Sequence, residues 1–262
     1  MQTNRTYGRK IPAPLPPHRM LFRKFPTGLV RSVDLRAHCG PIKDQGQLGS
    51  CTGHAFSSAM EWIWRAYLKK QPVLSPLYLY AKELDIDGSF PQDAGSDGTT
   101  GSTVTIANGC CEDSLYPDAS QKIQQPTSAM DVNAAQYRMG AYHGLAGADT
   151  ALSVLSDPTP WPVEVGFTVY SSFESDEVAQ SGIYNPDPPS ESVLGGHEVL
   201  AVGFDVDTVP TLRPANCPPA VLIQNSWGPW GWNNSGYFWM ALPVLDDSQT
   251  DLKIIHAGYP WK

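Results

Sequence analysis

The apolar positions of this chain change period partway along it. From Thr52 to Lys70, Phe56, Ala59, Met60, Ile63, Trp64, Tyr67 and Leu68 recur at i, i+3, i+4, i+7, i+8, i+11 and i+12. That spacing predicts one buried face of a long helix, with Ser57, Ser58, Glu61, Arg65 and Lys69 on the wet face. Ser50 suits the N-cap, which puts Cys51 in the first turn. A second helix should begin at Ser75-Pro76, a cap followed by proline at the first helical position. Leu77, Tyr80, Ala81 and Leu84 would line its inner face. The Gly- and Asp-rich stretch 85–101 reads as loop. Beyond about Met130 the period shortens to two. Val163, Val165, Phe167 and Val169 alternate with Glu164, Gly166, Thr168 and Tyr170, which predicts a half-buried strand. Residues 198–204, 220–224 and 237–240 read as further strands, with a Pro-rich loop over 205–219. A helical first half and a strand-rich second half imply an α+β protein of two lobes, and clefts between lobes favour ligands.

Charge adds an arm to this picture. The 262 residues carry a formal net charge of -8, yet residues 1–33 hold seven basic side chains and no acid. That leaves 11 basic against 26 acidic residues for the remainder. Residues 1–30 are Pro-rich, with no helical or strand period, and termini order only when tied down. A basic arm on an acidic body can dock on that body. Nucleic-acid binding is not expected, because the acidic remainder would repel phosphates. Residues 1–25 lack an apolar core and a small-residue cleavage site, so no secretory signal is read. No apolar stretch is long enough to span a membrane. The expected location is cytoplasmic, with signal-independent export left open.

Of the five cysteines, Cys39, Cys51, Cys110, Cys111 and Cys217, none forms a C-x-x-C pair, so neither a zinc site nor a dense disulfide framework is expected. No cofactor motif is present. Cys51 follows Gly49-Ser50 at a helix start, where unpaired N–H groups and a partial positive charge favour a thiolate. A buried structural cysteine is the commoner fate of such a residue, but Gly46 and Gly49 keep the surroundings uncrowded. Among six histidines, His197 in Gly195-Gly196-His197 opens a strand and is the best candidate base; His54, one helical turn after Cys51, is a lesser one. Asn225, in Asn225-Ser226-Trp227-Gly228, could fix the imidazole tautomer, with Trp227 shielding that bond. Strand-end turns use the same residue types, so this motif alone proves little. Gln45 could donate to an oxyanion together with the Cys51 N–H.

Together Gln45-Gly46-x-x-Gly49-Ser50-Cys51, Gly196-His197 and Asn225-Ser226-Trp227-Gly228 resemble the papain family of cysteine peptidases, in that family's order. Val33-Asp34-Leu35-Arg36 resembles the start of its mature domain, and the resemblance covers about 33–240. His197 lies 146 residues after Cys51, within the family's roughly 130–150. Asn225 lies 174 after it, which the loop 205–219 would explain. Leu48, Thr52 and Gly53-His54 depart from the pattern of secreted members and look like the family's bacterial branch.

The resemblance implies a helical left lobe, about 31–129, and a β-barrel-like right lobe, about 130–262, with the cleft between them. It implies hydrolysis of peptide bonds through a thioester on Cys51, with His197 as acid and base, Asn225 orienting it and Gln45 in the oxyanion site. It implies Glu198, Gly98 and Trp227 as substrate-contacting residues, with Glu198 favouring a basic or polar residue two positions before the cleaved bond. Arm 1–30 would then be a cleft-blocking pro-segment and residues 31–262 the catalytic domain. Two rival expectations remain: an inactive binding protein on the same fold, and an amidase or deubiquitinase-like effector using the same cysteine chemistry.

Overall fold

The computed structural model describes residues 5–21 and 30–256. The rest of the arm, 1–4 and 22–29, and the last six residues of the expected catalytic domain lie outside the described residues. After the short strands β1 (Met20–Leu21) and β2 (Ser32–Asp34) come α1 (Cys51–Ala66), α2 (Pro76–Ile86), α3 (Gly98–Ala107) and α4 (Ser128–Ala134). The second half runs β3 (Ala141–Leu145), α5 (Gly147–Leu155), β4 (Val163–Tyr170), α6 (Asp176–Ser181), β5 (Ile183–Tyr184), β6 (Val193–Asp205), β7 (Ala220–Gln224), β8 (Tyr237–Ala241) and β9 (Asp251–His256). The strands form one mixed sheet in the order β1-β3-β9-β4-β6-β7-β8-β5, with β2 paired to β6. The strand order does not close on itself, so the barrel-like lobe is an open sheet and not a sealed barrel. No helix among the described residues is long and apolar enough to cross a membrane.

The α1 stripe is buried from Phe56 to Ile63 and half-buried at Trp64; the helix ends at Ala66, short of the expected Tyr67 and Leu68, and most of its expected wet face is buried too. Ser57, Ser58 and Glu61 are all buried. The reason is position: α1 packs on α2 and α3 and also on β6. Ser57 and one Glu61 oxygen on that face are partnered within the protein. Lys43 Nζ lies 2.8 Å from Glu61 Oε1 and donates to Ser57 Oγ at 2.8 Å, while the Leu74 N–H donates to Glu61 at 2.8 Å. Gly53 brings the α1 and α2 backbones together; a Cβ there would sit 3.1 Å from Tyr80 N.

Ser75 caps α2 by accepting from Tyr78 N at 3.1 Å. Ser50 makes no such cap; its hydroxyl turns to His54 Nδ1 at 3.3 Å. The stretch read as loop gives way at Gly98 to α3, whose N–H groups at Thr99 and Thr100 bond the Asp97 carboxylate at 2.7 and 3.1 Å. Strand β4 is buried on both faces except at Tyr170, because β6 and β9 flank it in the sheet while the arm and α1 cover its faces.

Candidate active site

Three separate elements bring the candidate residues together. Cys51 opens α1, His197 lies on β6, and Asn225 follows β7, which pairs antiparallel to β6. His197 Nε2 lies 2.9 Å from Asn225 Oδ1. The Ser226 N–H donates to the same oxygen at 2.9 Å, which fixes the amide orientation. A carbonyl oxygen only accepts, so the bond places the ring proton on Nε2 and leaves Nδ1 as the lone-pair nitrogen. Nδ1 is buried and has no hydrogen-bond partner among the described residues. Trp227 stacks on the ring with centroids 5.1 Å apart, and Phe167 and Phe173 close two further sides.

Gln45 is buried and tied to the same corner. Its Oε1 accepts from Ser226 Oγ at 2.6 Å, and its Nε2 donates to Leu48 O at 2.9 Å. His54, the lesser base candidate, points elsewhere. Its Nδ1 sits 2.8 Å from Ser50 O and its Nε2 3.2 Å from Asp118. All five thiols are free.

Burial sets the charge state. It pushes the Cys51 thiol up to about 12; the Glu198 backbone N–H at the thiol pulls the other way, and the Glu198 and Glu83 carboxylates push up again. Burial likewise pushes His197 down to about 4, against the Asn225 bond, with Arg5 and His54 adding to the fall. Thiol and imidazole are thus both neutral near pH 7 in this arrangement.

Residues 5–10 of the arm lie over the same corner. The Ser96 N–H donates to Gly8 O at 2.9 Å, the Lys10 N–H to Ser96 O at 2.6 Å, and the Arg9 N–H to Gly196 O at 3.1 Å. Arg9 and Ser96 form a parallel bridge, so residues 8–10 lie as an extended strand beside the His197 strand. The Tyr7 ring packs edge-on against His197, centroids 6.4 Å apart, and its hydroxyl donates to Glu174 at 2.6 Å. The Arg5 guanidinium sits 4.9 Å above the Trp227 ring. Gly8 lies against the Gly49 backbone so closely that it has no room for a Cβ.

The outer candidates divide. Trp227 is in the site. Glu198 is buried beside it, with its carboxylate 3.8 Å from Arg9 Nε. Two of the backbone bonds to residues 8–10 of the arm come from Ser96, two residues before Gly98. Gly98 itself begins α3, and its bare Cα faces the ends of Lys253, Asp251 and Glu198. Sequence reasoning missed Tyr7, Arg9, Ser96 and Asp251, which carry no local pattern. It also passed over Gly166, whose place inside a strand signals close approach by another group.

Comparison with known proteins places the chain in a family. The sequence profile of the papain family cysteine proteases matches residues 29–249. The peptidase C1-like protein L477 of Acanthamoeba polyphaga mimivirus is 27% identical over 214 residues, 78% of this chain and 65% of its own length. Cathepsin C of Schistosoma mansoni is 30% identical over 225 residues, 78% of this chain and 44% of its own length. The chain therefore spans less than two thirds of both relatives. Among solved structures, xylellain, a cysteine protease from Xylella fastidiosa, superposes with a TM-score of 0.80 at 24% identity, covering 98% of both chains. Digestive procathepsin L2 from Tenebrio molitor larval midgut gives 0.71 at 20% identity, covering 97% of this chain and 78% of its own. Both structures share the fold.

Proposed function

This chain belongs to the papain family of cysteine proteases, and on that premise we propose that it hydrolyses peptide bonds with Cys51 as nucleophile, His197 as acid and base, and Asn225 as the residue that orients His197. Residues 5–10 hold the site closed until they leave. The observation that carries the reading is the 2.9 Å bond from His197 Nε2 to Asn225, which leaves Nδ1 as the ring atom for the thiol proton.

Once the arm leaves, water re-enters and the burial that holds thiol and imidazole neutral is relieved, so proton transfer from Cys51 to His197 becomes favourable. The sulfur then attacks a peptide carbonyl. The developing oxyanion is met by the Cys51 N–H and by the Gln45 Nε2 hydrogen not engaged by Leu48. Protonated His197 gives its proton to the leaving amine. It next takes a proton from water, which cleaves the thioester and regenerates the thiol. Trp227 keeps bulk water off the His197–Asn225 bond. The basic arm on an acidic body and the name of the similar procathepsin support reading residues 1–30 as a pro-segment and 31–262 as the catalytic unit.

The test is turnover of a peptide library by full-length and arm-deleted protein. Arm deletion should raise the rate, and Cys51→Ala should abolish it in both forms. Peptide hydrolysis that survives Cys51→Ala would end this account.

A further inference from the structure

The chemistry above uses residues 5–10 of the arm and leaves the next stretch without a role. Ile11-Pro12-Ala13-Pro14-Leu15-Pro16 belongs to no helix or strand, and the short 3-10 turn Pro17–Arg19 follows it. Its burial nevertheless repeats every three residues. Arg9 is buried and Pro12 and Leu15 are half-buried, while Lys10, Ile11, Ala13, Pro14, Pro16 and Pro17 are exposed. Three residues per turn is the period of the polyproline II helix. Pro16 has the matching dihedrals, φ -65° and ψ 148°. Proline fixes φ near that value and keeps the residue before it out of the α region, so the sequence itself holds this stretch extended.

One edge of this three-sided rod rests on the body. Leu15 packs against the core, and a Cβ on Gly144 of β3 would lie 2.8 Å from Leu15 Cδ1. The rod is pinned at both ends. Arg9 donates to Gln249 O at 2.8 Å before it, and β1 pairs with β3 after it. The other two edges face outward and carry the pairs Lys10-Ile11, Ala13-Pro14 and Pro16-Pro17. Ile11 is 63% exposed. Arg19, two residues past the last pair, holds its guanidinium 4.7 Å above the Tyr142 ring.

We propose that residues 13–19 are a docking site for a partner protein that reads polyproline II, a domain of the SH3 type with an aromatic-lined groove and an acidic rim. The fit is geometric. With the Leu15 edge down, Ala13-Pro14 and Pro16-Pro17 stand outward one turn apart, and each pair fills a slot between aromatic rings. Prolines carry no N–H, so the carbonyls of the rod are left to accept from hydroxyl and indole donors in such a groove. Binding costs little chain entropy, because the rod is stiff and already anchored. Charge sets the sign of the partner. Residues 1–33 hold seven basic side chains and no acid, and Arg19 follows the two pairs where an acidic rim would meet it. A plain spacer is the rival reading; it has the same stiffness but binds nothing. The site uses none of the residues assigned to hydrolysis, so it stands apart from the peptidase reading. Because it lies on the arm, the partner would bind only protein that still carries residues 1–30.

The experiment uses full-length Cys51→Ala protein, which cannot cut the probes, and a panel of purified SH3 domains that take a basic residue after two proline pairs. Affinities are read by biolayer interferometry. At least one domain should bind saturably. Pro14→Ala, Pro17→Ala and Arg19→Glu should each weaken that binding about tenfold or more, whereas Pro12→Ala, on the inward edge, should change Kd by less than about twofold. Matched melting curves show that each variant keeps the fold. A panel in which no domain binds overturns the docking site. So does equal weakening by Pro12→Ala and Pro14→Ala, or undiminished binding by Arg19→Glu.

Discussion

Gly8→Ala puts one methyl group where the arm meets the body. The Gly8 Cα faces the Gly49 backbone at the start of the Cys51 helix, and the added Cβ would overlap it. Both partners are main chain, so neither can swing aside. Relief requires residues 8–10 to lift. Three backbone hydrogen bonds then break: Ser96 to Gly8, Lys10 to Ser96 and Arg9 to Gly196. At a net value of about 1 kcal/mol each, losing two or three shifts the closed–open balance by about 2–3 kcal/mol, or about 30- to 150-fold. Iodoacetamide labelling of Cys51, read by mass spectrometry of the Cys51 peptide, reports the open population directly. The thiol is fully buried when the arm is down, so labelling should speed up by at least tenfold. Wild-type labelling kinetics in a folded Gly8→Ala protein would refute the claim that this strand seals the site.

Three further outcomes follow from other contacts. Asn225→Ala removes the acceptor for His197 Nε2 and should lower kcat/KM roughly 10- to 100-fold in arm-released protein, mostly through kcat; an unchanged kcat would mean that the ring is oriented by its aromatic neighbours alone. Asp205→Ala strips the buried partner of Arg213 and of the loop N–H groups at Asp207, Thr211, Leu212 and Arg213. Urea unfolding should register a loss of about 3–5 kcal/mol at neutral pH. For Asp205 burial pushes the pKa up, but those N–H bonds more than offset it and hold the carboxyl below its ordinary value. The deficit should therefore persist above about pH 4 and shrink as the pH falls through the lower folded value; a deficit that grew with acid would contradict the sign. Glu83 is the opposite case. Burial raises it to about 8, against the Thr52 bond, so the folded protein loses stability as the pH climbs from the unfolded value to about 8. Glu83→Gln should escape that loss and gain on wild type by about 3–5 kcal/mol between about pH 5 and pH 8, levelling off above. Parallel melting curves for the two proteins across that range would reject it.

The candidate residues stood out because their types are diagnostic in context. A cysteine at a helix start and an asparagine at a strand end each had a local reason to be where they are; His197, read as opening its strand, lies four residues inside β6, which begins at Val193. The reading failed where the reason was not local. The face of α1 bearing Ser57, Ser58 and Glu61 looks wet by its side chains, yet it is buried, since a second layer packs over it. The stretch 85–101 looked like loop because it is rich in Gly and Asp, yet the Asp97 cap and packing against α2 start α3 at Gly98. The arm showed no helical or strand period because backbone bonds, which every residue can make, hold much of it in place.

The amphipathic stripe, the alternating strands and the candidate cysteine, histidine and asparagine with their order are read from short windows of sequence, and the chain alone offered them. The closed cleft and the buried seat of the Arg9 guanidinium are not. Gly166, Glu198 and Asp251 come from three strands, and Arg9 reaches them from the far end of the chain. Only strand pairing over long separations sets them within a few ångströms of one another, and that pairing follows from burying the whole sheet against α1 and the arm, a condition no local pattern encodes.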